Sequence, residues 1–210
     1  MEEAQGVITM ICQDKYERPL NNEELYRYYA RSEGVWSSDL AIVTVKFIAQ
    51  EDILPIAKHY NLAHIDFGVQ ATWKYYHKKN KDINFDHKNF DNKNFENQNS
   101  KIQSFEYLMN CCTDSEQPGL MFCQFGSNVT KQNLRDDNRG RILKEVIPDM
   151  KSLVLSNSFI VLDYIFVDSH TLITSSGKYK ATTCLESENK RYREETYDGR
   201  VFRRVWEEKL

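Results

Sequence analysis

The stretch "SEGVWSSDLAIVTVKF", residues 32–47, predicts the first strand of an all-β fold. Gly34 stands two positions before Trp36, and a run rich in β-branched residues follows. Within that run Val43, Val45 and Phe47 fall on one face, the period of two that is typical of a half-buried strand. We therefore expect one strand over residues 35–47.

Short helical patterns flank this strand. The segment "NNEELYRYYARSEG", 21–34, has Asn22 as a candidate N-cap, acidic residues in its first turn and Gly34 as a stop. The segment "EDILPIAKHYN", 51–61, predicts a connecting helix with Pro55 in its first turn. The sequence thus predicts a short N-terminal helix and one connecting helix.

The rest of the chain reads mainly as strands. "DFGVQATWKYYHKK", 66–79, is followed by six further strand-like segments at 101–112, 119–126, 140–147, 152–167, 171–186 and 190–209. Many short strands with few helices are typical of a sandwich or a closed barrel. Residues 78–101, rich in Asn, Lys and Phe, predict a low-complexity loop insert. We expect a single domain over residues 1–210.

Composition excludes several classes of function. The net charge is −3 and the sequence pI about 6.0, which gives no support to a nucleic-acid partner. No apolar run is long enough to span a membrane, and the acidic start does not fit a signal peptide. The five cysteines form no C-x-x-C pair and predict reduced thiols. The histidines show no metal-ligand spacing, so no metal is expected.

The last hairpin carries the most specific local signal. Asp198-Gly199 predicts a two-residue turn, and counting outward from it gives a register. One face then pairs charges of opposite sign, as a solvated face should. The other face pairs Tyr197 with Arg200, Glu195 with Phe202, Arg193 with Arg204, and Arg191 with Trp206.

That second face sets Arg193 directly opposite Arg204. Like charges across a strand pair destabilise it, so a compensating group is expected. Either Glu195 or an anionic ligand held by the guanidinium groups would serve. Alternatively this face is also solvated and the arginines splay apart.

The two ends of the chain together resemble a known barrel signature. A G-x-W motif at the start of the first strand, with an arginine in the last, resembles the closure of lipocalin-like (calycin) barrels. There the arginine stacks on the tryptophan. The resemblance implies that Arg203 or Arg204 covers Trp36 in an antiparallel calycin/lipocalin-like β-barrel.

Residues 32–77 resemble one family more closely. "SEGVWSS", then a helix ending at a tyrosine, then a glycine leading into "VQATWKYY", is similar to the S/U-type phycobiliprotein chromophore lyases (the CpcS/CpeS group). The family's C-terminal "E-R-x-W" and "N-L-R-x-R" motifs are not reproduced here. The resemblance implies a ten-stranded barrel that binds an open-chain tetrapyrrole (bilin) and passes it to a cysteine of a phycobiliprotein subunit.

The implied ligand sets the expected site. Two propionates call for arginines, a conjugated plane for aromatic walls, and thiol addition for an acid, here Glu195. Trp73 matches the family's "V-x-W" tryptophan, whereas the other residues follow from the face count. The expected bilin-binding set is Trp73, Tyr75, Arg191, Arg193, Phe202, Arg204 and Trp206.

The expected function is therefore a bilin:phycobiliprotein lyase. Its bound substrate would be phycocyanobilin or phycoerythrobilin, and its acceptor a phycobiliprotein subunit. Self-association, or pairing with a related lyase, is expected, in a plastid stroma or a cyanobacterial cytoplasm. The alternatives are a non-catalytic pigment or lipid carrier and an assembly subunit of a photosynthetic antenna complex.

Overall fold

The structure is a computed structural model that describes residues 22–39, 41–76, 104–127 and 158–210. The predicted insert at 78–101 and the predicted strand at 140–147 lie outside these ranges. Helix α1 spans Asn22–Ser32 and helix α2 spans Gln50–Tyr60. Pro55 lies inside α2, beyond the first turn where it was expected. Among the described helices, none is long and apolar enough to cross a membrane.

The described strands form one closed antiparallel barrel. Each strand pairs with the next along the chain, and the last pairs with the first, so the ring has no free edge. The predicted all-β antiparallel barrel with two short helices is confirmed among the described residues. The strands are β1 Gly34–Ser37, β2 Ala41–Ile48, β3 Ile65–Tyr76, β4 Ser104–Asp114, β5 Leu120–Ser127, β6 Phe159–Phe166, β7 Thr171–Ser176, β8 Tyr179–Leu185, β9 Lys190–Tyr197 and β10 Arg200–Lys209.

The single strand expected over residues 35–47 is two strands. β1 and β2 pair antiparallel, with Gly34 opposite Val45 and Ser37 opposite Ile42. A tight reversal joins them, in which the Ser38 backbone N–H donates to the carbonyl oxygen of Ala41 at 3.0 Å. The prediction was wrong because the alternating pattern of β2 masked the polar reversal before it. The division places β1 between β2 and β10, which closes the ring.

The register of the last hairpin differs from the one predicted by counting outward from the Asp198-Gly199 turn. Tyr197 pairs with Arg200 as predicted, but a β-bulge between Val201 and Arg203 shifts every later pair by one residue. The prediction of Arg193 opposite Arg204 is therefore wrong. The observed pairs join Arg203 with Glu195, Arg204 with Glu194, Glu207 with Arg191, and Glu208 with Lys190. The bulge replaces a like-charge pair by four pairs of opposite charge, the arrangement that cross-strand energetics favour.

Barrel closure uses a different arginine from the one expected. The guanidinium carbon of Arg191 lies 4.4 Å from the ring centroid of Trp36, a cation–π contact. Arg191 Nε also donates to Glu207 Oε2 at 2.5 Å, and both side chains are buried. Arg203 instead lies 5.0 Å from the ring centroid of Tyr75. The expectation that Arg203 or Arg204 covers Trp36 is wrong because the bulge turns each to a different place.

Helix α1 plugs one end of the barrel. Leu25 is fully buried, and the Tyr28 hydroxyl donates to the carbonyl oxygen of Thr183 at 3.3 Å. The indole N–H of Trp36 donates to the carbonyl oxygen of Ser32 at 2.8 Å, which ties the helix end to β1. No described helix crosses the opposite end, where β1 ends and β9 reaches Tyr197. We call that opposite end the open rim.

Helix α2 packs on the outside of the barrel, across β3, β4 and β5. Its buried residues Ile53 and Ile56 meet Cys112 and Phe122 in a second, smaller core. Gly68 lies directly beneath it, and a Cβ there would come within 2.8 Å of Ile53 Cγ2. Gly68 therefore permits the close approach of this helix to β3.

A disulfide joins two of the cysteines. Cys111 on β4 lies directly opposite Cys123 on β5, and the two are bonded. The expectation of five reduced thiols is wrong, because the pair is set by cross-strand register and not by sequence spacing. Cys112 is buried and Cys184 is half-buried, and neither belongs to this disulfide.

Removing the closure arginine should destabilise the barrel. Arg191→Ala would leave Glu207 as a buried, unpaired carboxylate and uncover Trp36, so we expect a loss of about 3–5 kcal/mol in the free energy of unfolding. Arg204→Ala removes an arginine from an exposed pair on the same hairpin and should leave that free energy nearly unchanged. Urea unfolding of both variants checks this. Equal midpoints would show that the Arg191 contacts do not close the barrel.

Candidate ligand-binding cavity

The barrel encloses a cavity of about 260 Å³ between helix α1 and the open rim. Its floor is formed by Tyr28 and Tyr29 of α1, and Tyr197 lies at the rim. Apolar side chains from β2 to β7 line much of the wall. Its aromatic lining elsewhere consists of Trp73, Tyr107, Phe125 and Tyr179, and its cationic lining of Lys178, Arg191 and Arg193.

Charged side chains from β9 and β10 form one side of the barrel interior, which we call the charged wall: Arg191, Arg193, Glu195, Arg203 and Glu207. Arg193 Nη2 donates to Glu195 Oε1 at 2.8 Å, and Arg203 Nη1 lies 2.8 Å from Glu195 Oε2. Arg191 and Glu207 form a separate buried pair. Three arginines and two glutamates leave the charged wall with one excess positive charge. An interior with that excess favours an anionic ligand.

Glu195 is held as a carboxylate. Burial alone would raise its pKa, but Arg193 and Arg203, with hydrogen bonds from Arg193 and Tyr179, lower the pKa to about 2. A general acid at neutral pH needs a pKa near 7. At that pH Glu195 is therefore a carboxylate in this arrangement, and the acid role expected for it stays a prediction. Its observed role is to hold two arginines in place.

Tyrosines complete the hydrogen bonding of the charged wall. The Tyr179 hydroxyl donates to Glu195 Oε1 at 2.7 Å, and Arg203 Nη1 donates to the hydroxyl oxygen of Tyr75. Burial raises the pKa of Tyr75, Tyr107 and Tyr179, so all three are neutral near pH 7. Neutral phenols beside fixed charges are hydrogen-bonding groups for the site and not bases.

One buried N–H group of the charged wall has no hydrogen-bond acceptor among the described residues. Arg193 Nε is buried and has no hydrogen-bond partner among the described residues, although Nη2 binds both Glu195 and Tyr179. Glu195 Oε2 also lacks a hydrogen bond of good geometry there, despite its ion-pair contact with Arg203. A buried donor without an acceptor is costly, and such groups often mark a binding site. Arg193 is therefore the residue best placed to receive an anionic ligand.

An aromatic column stands beside the arginines. Trp73 and Tyr107 stack with ring centroids 4.7 Å apart and planes 15° apart, and Tyr75 continues the stack at 5.9 Å from Tyr107. The guanidinium carbon of Arg193 lies 5.2 Å from the Trp73 centroid. These contacts fix the orientation of Trp73 and hold Arg193 at the cavity wall.

The expected site residues divide into two groups. Trp73, Arg191 and Arg193 line the cavity, and Tyr75 lines a small space beside it together with Arg203. Arg204 is exposed and donates to Glu194, while Trp206 is 43% exposed and contacts Lys190 and Tyr192 on the outer surface. Phe202, at the bulge, is half-buried near Tyr179 and is not among the cavity-lining residues. The bulge thus moves Arg204 and Trp206 off the inner face.

Several lining residues were missed by the sequence reading. Tyr107 and Tyr179 lie on inner faces that strand alternation could have identified once the registers were known. Tyr28 and Tyr29 belong to a helix whose position inside the barrel end carries no sequence signal. The inward orientation of Arg203 depends on the bulge alone.

A second cluster lies away from the cavity, at the plugged end. His64, Asp114 and Glu116 bring their ligand atoms within 4.8 Å of one another. The Asp114 oxygens already accept backbone N–H groups of His64 and Glu116, at 3.3 and 2.9 Å. Through these hydrogen bonds the Asp114 carboxylate connects two loops, which explains its burial. Fifty residues separate the histidine from the aspartate, so spacing alone could not bring them together.

The sequence matches no protein-family model and no curated protein. One solved structure, that of the S-type phycobiliprotein lyase CPES from Guillardia theta, is similar to this chain with a TM-score of 0.45 and 12% sequence identity. The match covers 92% of this chain and 98% of that chain.

Acid should reveal the buried carboxylate. The pKa of Glu195 lies below its ordinary 4.5 in the folded protein, so its stabilising contribution is complete above about pH 5 and is lost as the pH falls toward 2. The loss is on the order of 3 kcal/mol. Glu195→Gln should be less stable at pH 7 but lose less stability between pH 5 and 2.

The test is the free energy of unfolding by urea at several acidic pH values. Glu194→Gln, on the other face of the same strand, is the matched control and should follow the wild-type acid profile. If the wild type and Glu195→Gln lose stability in parallel from pH 5 to 2, the ionised state of Glu195 is contradicted.

Proposed function

We propose that the barrel binds an open-chain tetrapyrrole and promotes its thioether attachment to a cysteine of a phycobiliprotein subunit. One observation carries the proposal: an aromatic-lined cavity whose wall presents Arg193 with a buried, unpartnered Nε. An elongated, conjugated molecule with carboxylate groups is the ligand class that fits both features. The order of motifs in residues 32–77 supports the choice of a bilin within that class.

The charge of the charged wall supports a propionate contact. One carboxylate of the ligand would neutralise the excess positive charge of the charged wall. A small shift of the Arg193 guanidinium would let Arg193 Nε donate to that ligand carboxylate. A charge-assisted hydrogen bond of this kind is about twice as strong as a neutral one. Lys178 at the rim is a second cation, exposed and paired with Asp198 at 3.0 Å, which a ligand carboxylate would have to replace or share. A ligand with two propionates would then find one partner inside the barrel and one at its mouth.

The size of the cavity supports partial insertion. At about 260 Å³ it lies just below the usual range of roughly 300–1,000 Å³ for ligand sites. A full bilin would therefore extend through the open rim. That position suits a transfer reaction, because a thiol on another protein must reach the pigment.

The addition balances without an acid from the charged wall. The sulfur of the acceptor's thiolate forms a bond to one carbon of an exocyclic double bond of the pigment. The proton released by the thiol is added to the other carbon of that double bond. The nucleophile belongs to the acceptor, so the barrel needs none. Its own residues would bind, orient and shield the pigment, with Tyr179 and Glu195 fixing the arginines.

Partners and location follow from the same proposal. The acceptor would be a phycobiliprotein subunit and the bound substrate phycocyanobilin or phycoerythrobilin. A homodimer, or a heterodimer with a related lyase, belongs to the proposal, as does a plastid stroma or cyanobacterial cytoplasm.

A pigment carrier without transfer activity is the second candidate. Glu195, paired with Arg193 and Arg203, is held as a carboxylate at neutral pH. A barrel that only binds and escorts its ligand needs no proton donor. Lyase and carrier share the same pocket, so binding alone does not separate them.

The experiment is an absorbance titration of the purified protein with each bilin, followed by incubation of the complex with an apo-phycobiliprotein subunit. A saturable red shift and sharpening, then covalent attachment that survives denaturation, is the expected result. Binding without attachment would favour the carrier. No spectral change with either bilin would overturn both.

Two arginines of the last hairpin provide a matched comparison. Arg193→Ala should weaken bilin binding by about 1.5–3 kcal/mol, because it removes a cavity-facing charge-assisted donor. Arg204→Ala should leave affinity unchanged, because that side chain faces solvent and pairs with Glu194. Circular dichroism of both variants would check that they are folded. Equal affinity of Arg193→Ala and the wild type would remove Arg193 from the binding site.

A further inference from the structure

The Cys111–Cys123 disulfide lies in the inner wall of the barrel. Both cysteines are fully buried, on adjacent strands β4 and β5. Because side chains two positions apart share a face, Met109 and Phe125 lie beside them on the same inner surface. Met109 and Phe125 line the cavity. The disulfide is therefore next to the cavity wall.

On its other side the disulfide adjoins the plug of the barrel. The next inward residue of β5 is Met121, which is buried, and its sulfur contacts the hydroxyl of Tyr29 at 3.8 Å. Tyr29 belongs to α1 and forms part of the cavity floor. The bond thus fastens β4 to β5 at the level where the cavity meets the helix.

We propose that this disulfide is a redox-controlled latch on the cavity. In the oxidised state it holds the β4–β5 seam closed beneath the ligand. A dithiol reductant opens it, loosens that side of the wall and weakens ligand binding. The statement about ligand binding rests on the proposed function, whereas the statement about the wall does not.

The redox step is thiol–disulfide exchange. The dithiol gives two electrons and two protons, its own sulfurs become a disulfide, and the S–S bond between Cys111 and Cys123 is replaced by two thiols. Two unbonded sulfur atoms need more room than a bonded pair. At a fully buried, close-packed position that room can come only from movement of the neighbouring side chains or strands.

Burial also couples the latch to the cavity. A reductant reaches the disulfide only when the seam opens or when it enters through the cavity. A ligand seated against Met109 and Phe125 opposes both routes. By linkage, a ligand that binds the oxidised form more tightly must also protect it from reduction.

The first measurement counts thiols and compares melting temperatures. Two of the five cysteines are joined, so the protein denatured without reductant should show three titratable thiols, and five after treatment with dithiothreitol. Reduction should lower the Tm by roughly 6–12 °C. Five thiols without reductant, or no change in Tm, would overturn the latch.

Variants separate the latch from a general effect of reductant. Cys111→Ala/Cys123→Ala should show the same Tm with and without dithiothreitol. Cys184→Ala, which removes a half-buried cysteine of β8 outside the disulfide, should keep the wild-type response. Hydrogen exchange should quicken in β4 and β5 on reduction but not in β8 and β9. Uniform quickening would show unfolding and not a local seam, and would overturn the proposal.

Ligand binding gives the last readout. Reduced protein should bind bilin roughly fivefold or more weakly than oxidised protein, and bilin should slow the appearance of thiols. Equal affinity of the two forms would overturn the coupling. If neither form binds bilin, the proposed function fails, while the thiol counts and hydrogen exchange still decide the latch.

Discussion

The bulge in β10 between Val201 and Arg203 determines the chemistry of the barrel interior. Without it, Arg204 would pair directly with Arg193 inside a closed ring. With it, Arg203 turns inward opposite Glu195, and Glu207 comes opposite Arg191. A bulge also raises local twist, which a closed barrel requires of its strands. Closure and charge pairing therefore depend on the same extra residue.

The charge pairing set by the bulge fixes the positions of the side chains around the cavity. Glu195 accepts from Arg193, contacts Arg203 and stays ionised, so both guanidinium groups are fixed. Arg193 is held against Trp73, which is itself held by Tyr107. Buried charge networks are weak sources of stability but strong sources of orientation. The charged wall is accordingly better suited to fixing the orientation of its arginines than to stabilising the core.

The same reasoning limits what the wall can do chemically. Glu195 is held as a carboxylate by two arginines, and the tyrosines beside it are neutral near pH 7. Binding, orientation and exclusion of water are functions that such residues can perform. They suffice for a transfer whose nucleophile and proton both come from an acceptor thiol, and equally for a carrier.

By itself the sequence determined the class of fold and, in the last hairpin, the turn and the face on which each β9 side chain lies. Period-two patterns identified the strands, the Asp198-Gly199 turn fixed the hairpin, and alternation placed Arg191, Arg193 and Glu195 on one face of β9. Only the tertiary structure decided which residues of β10 face them, because a bulge leaves no local pattern and inverts every later side chain. The tertiary structure alone also paired Cys111 with Cys123 and placed Tyr28 and Tyr29 beneath the cavity. Those contacts depend on register and helix placement between distant segments, which local spacing does not encode.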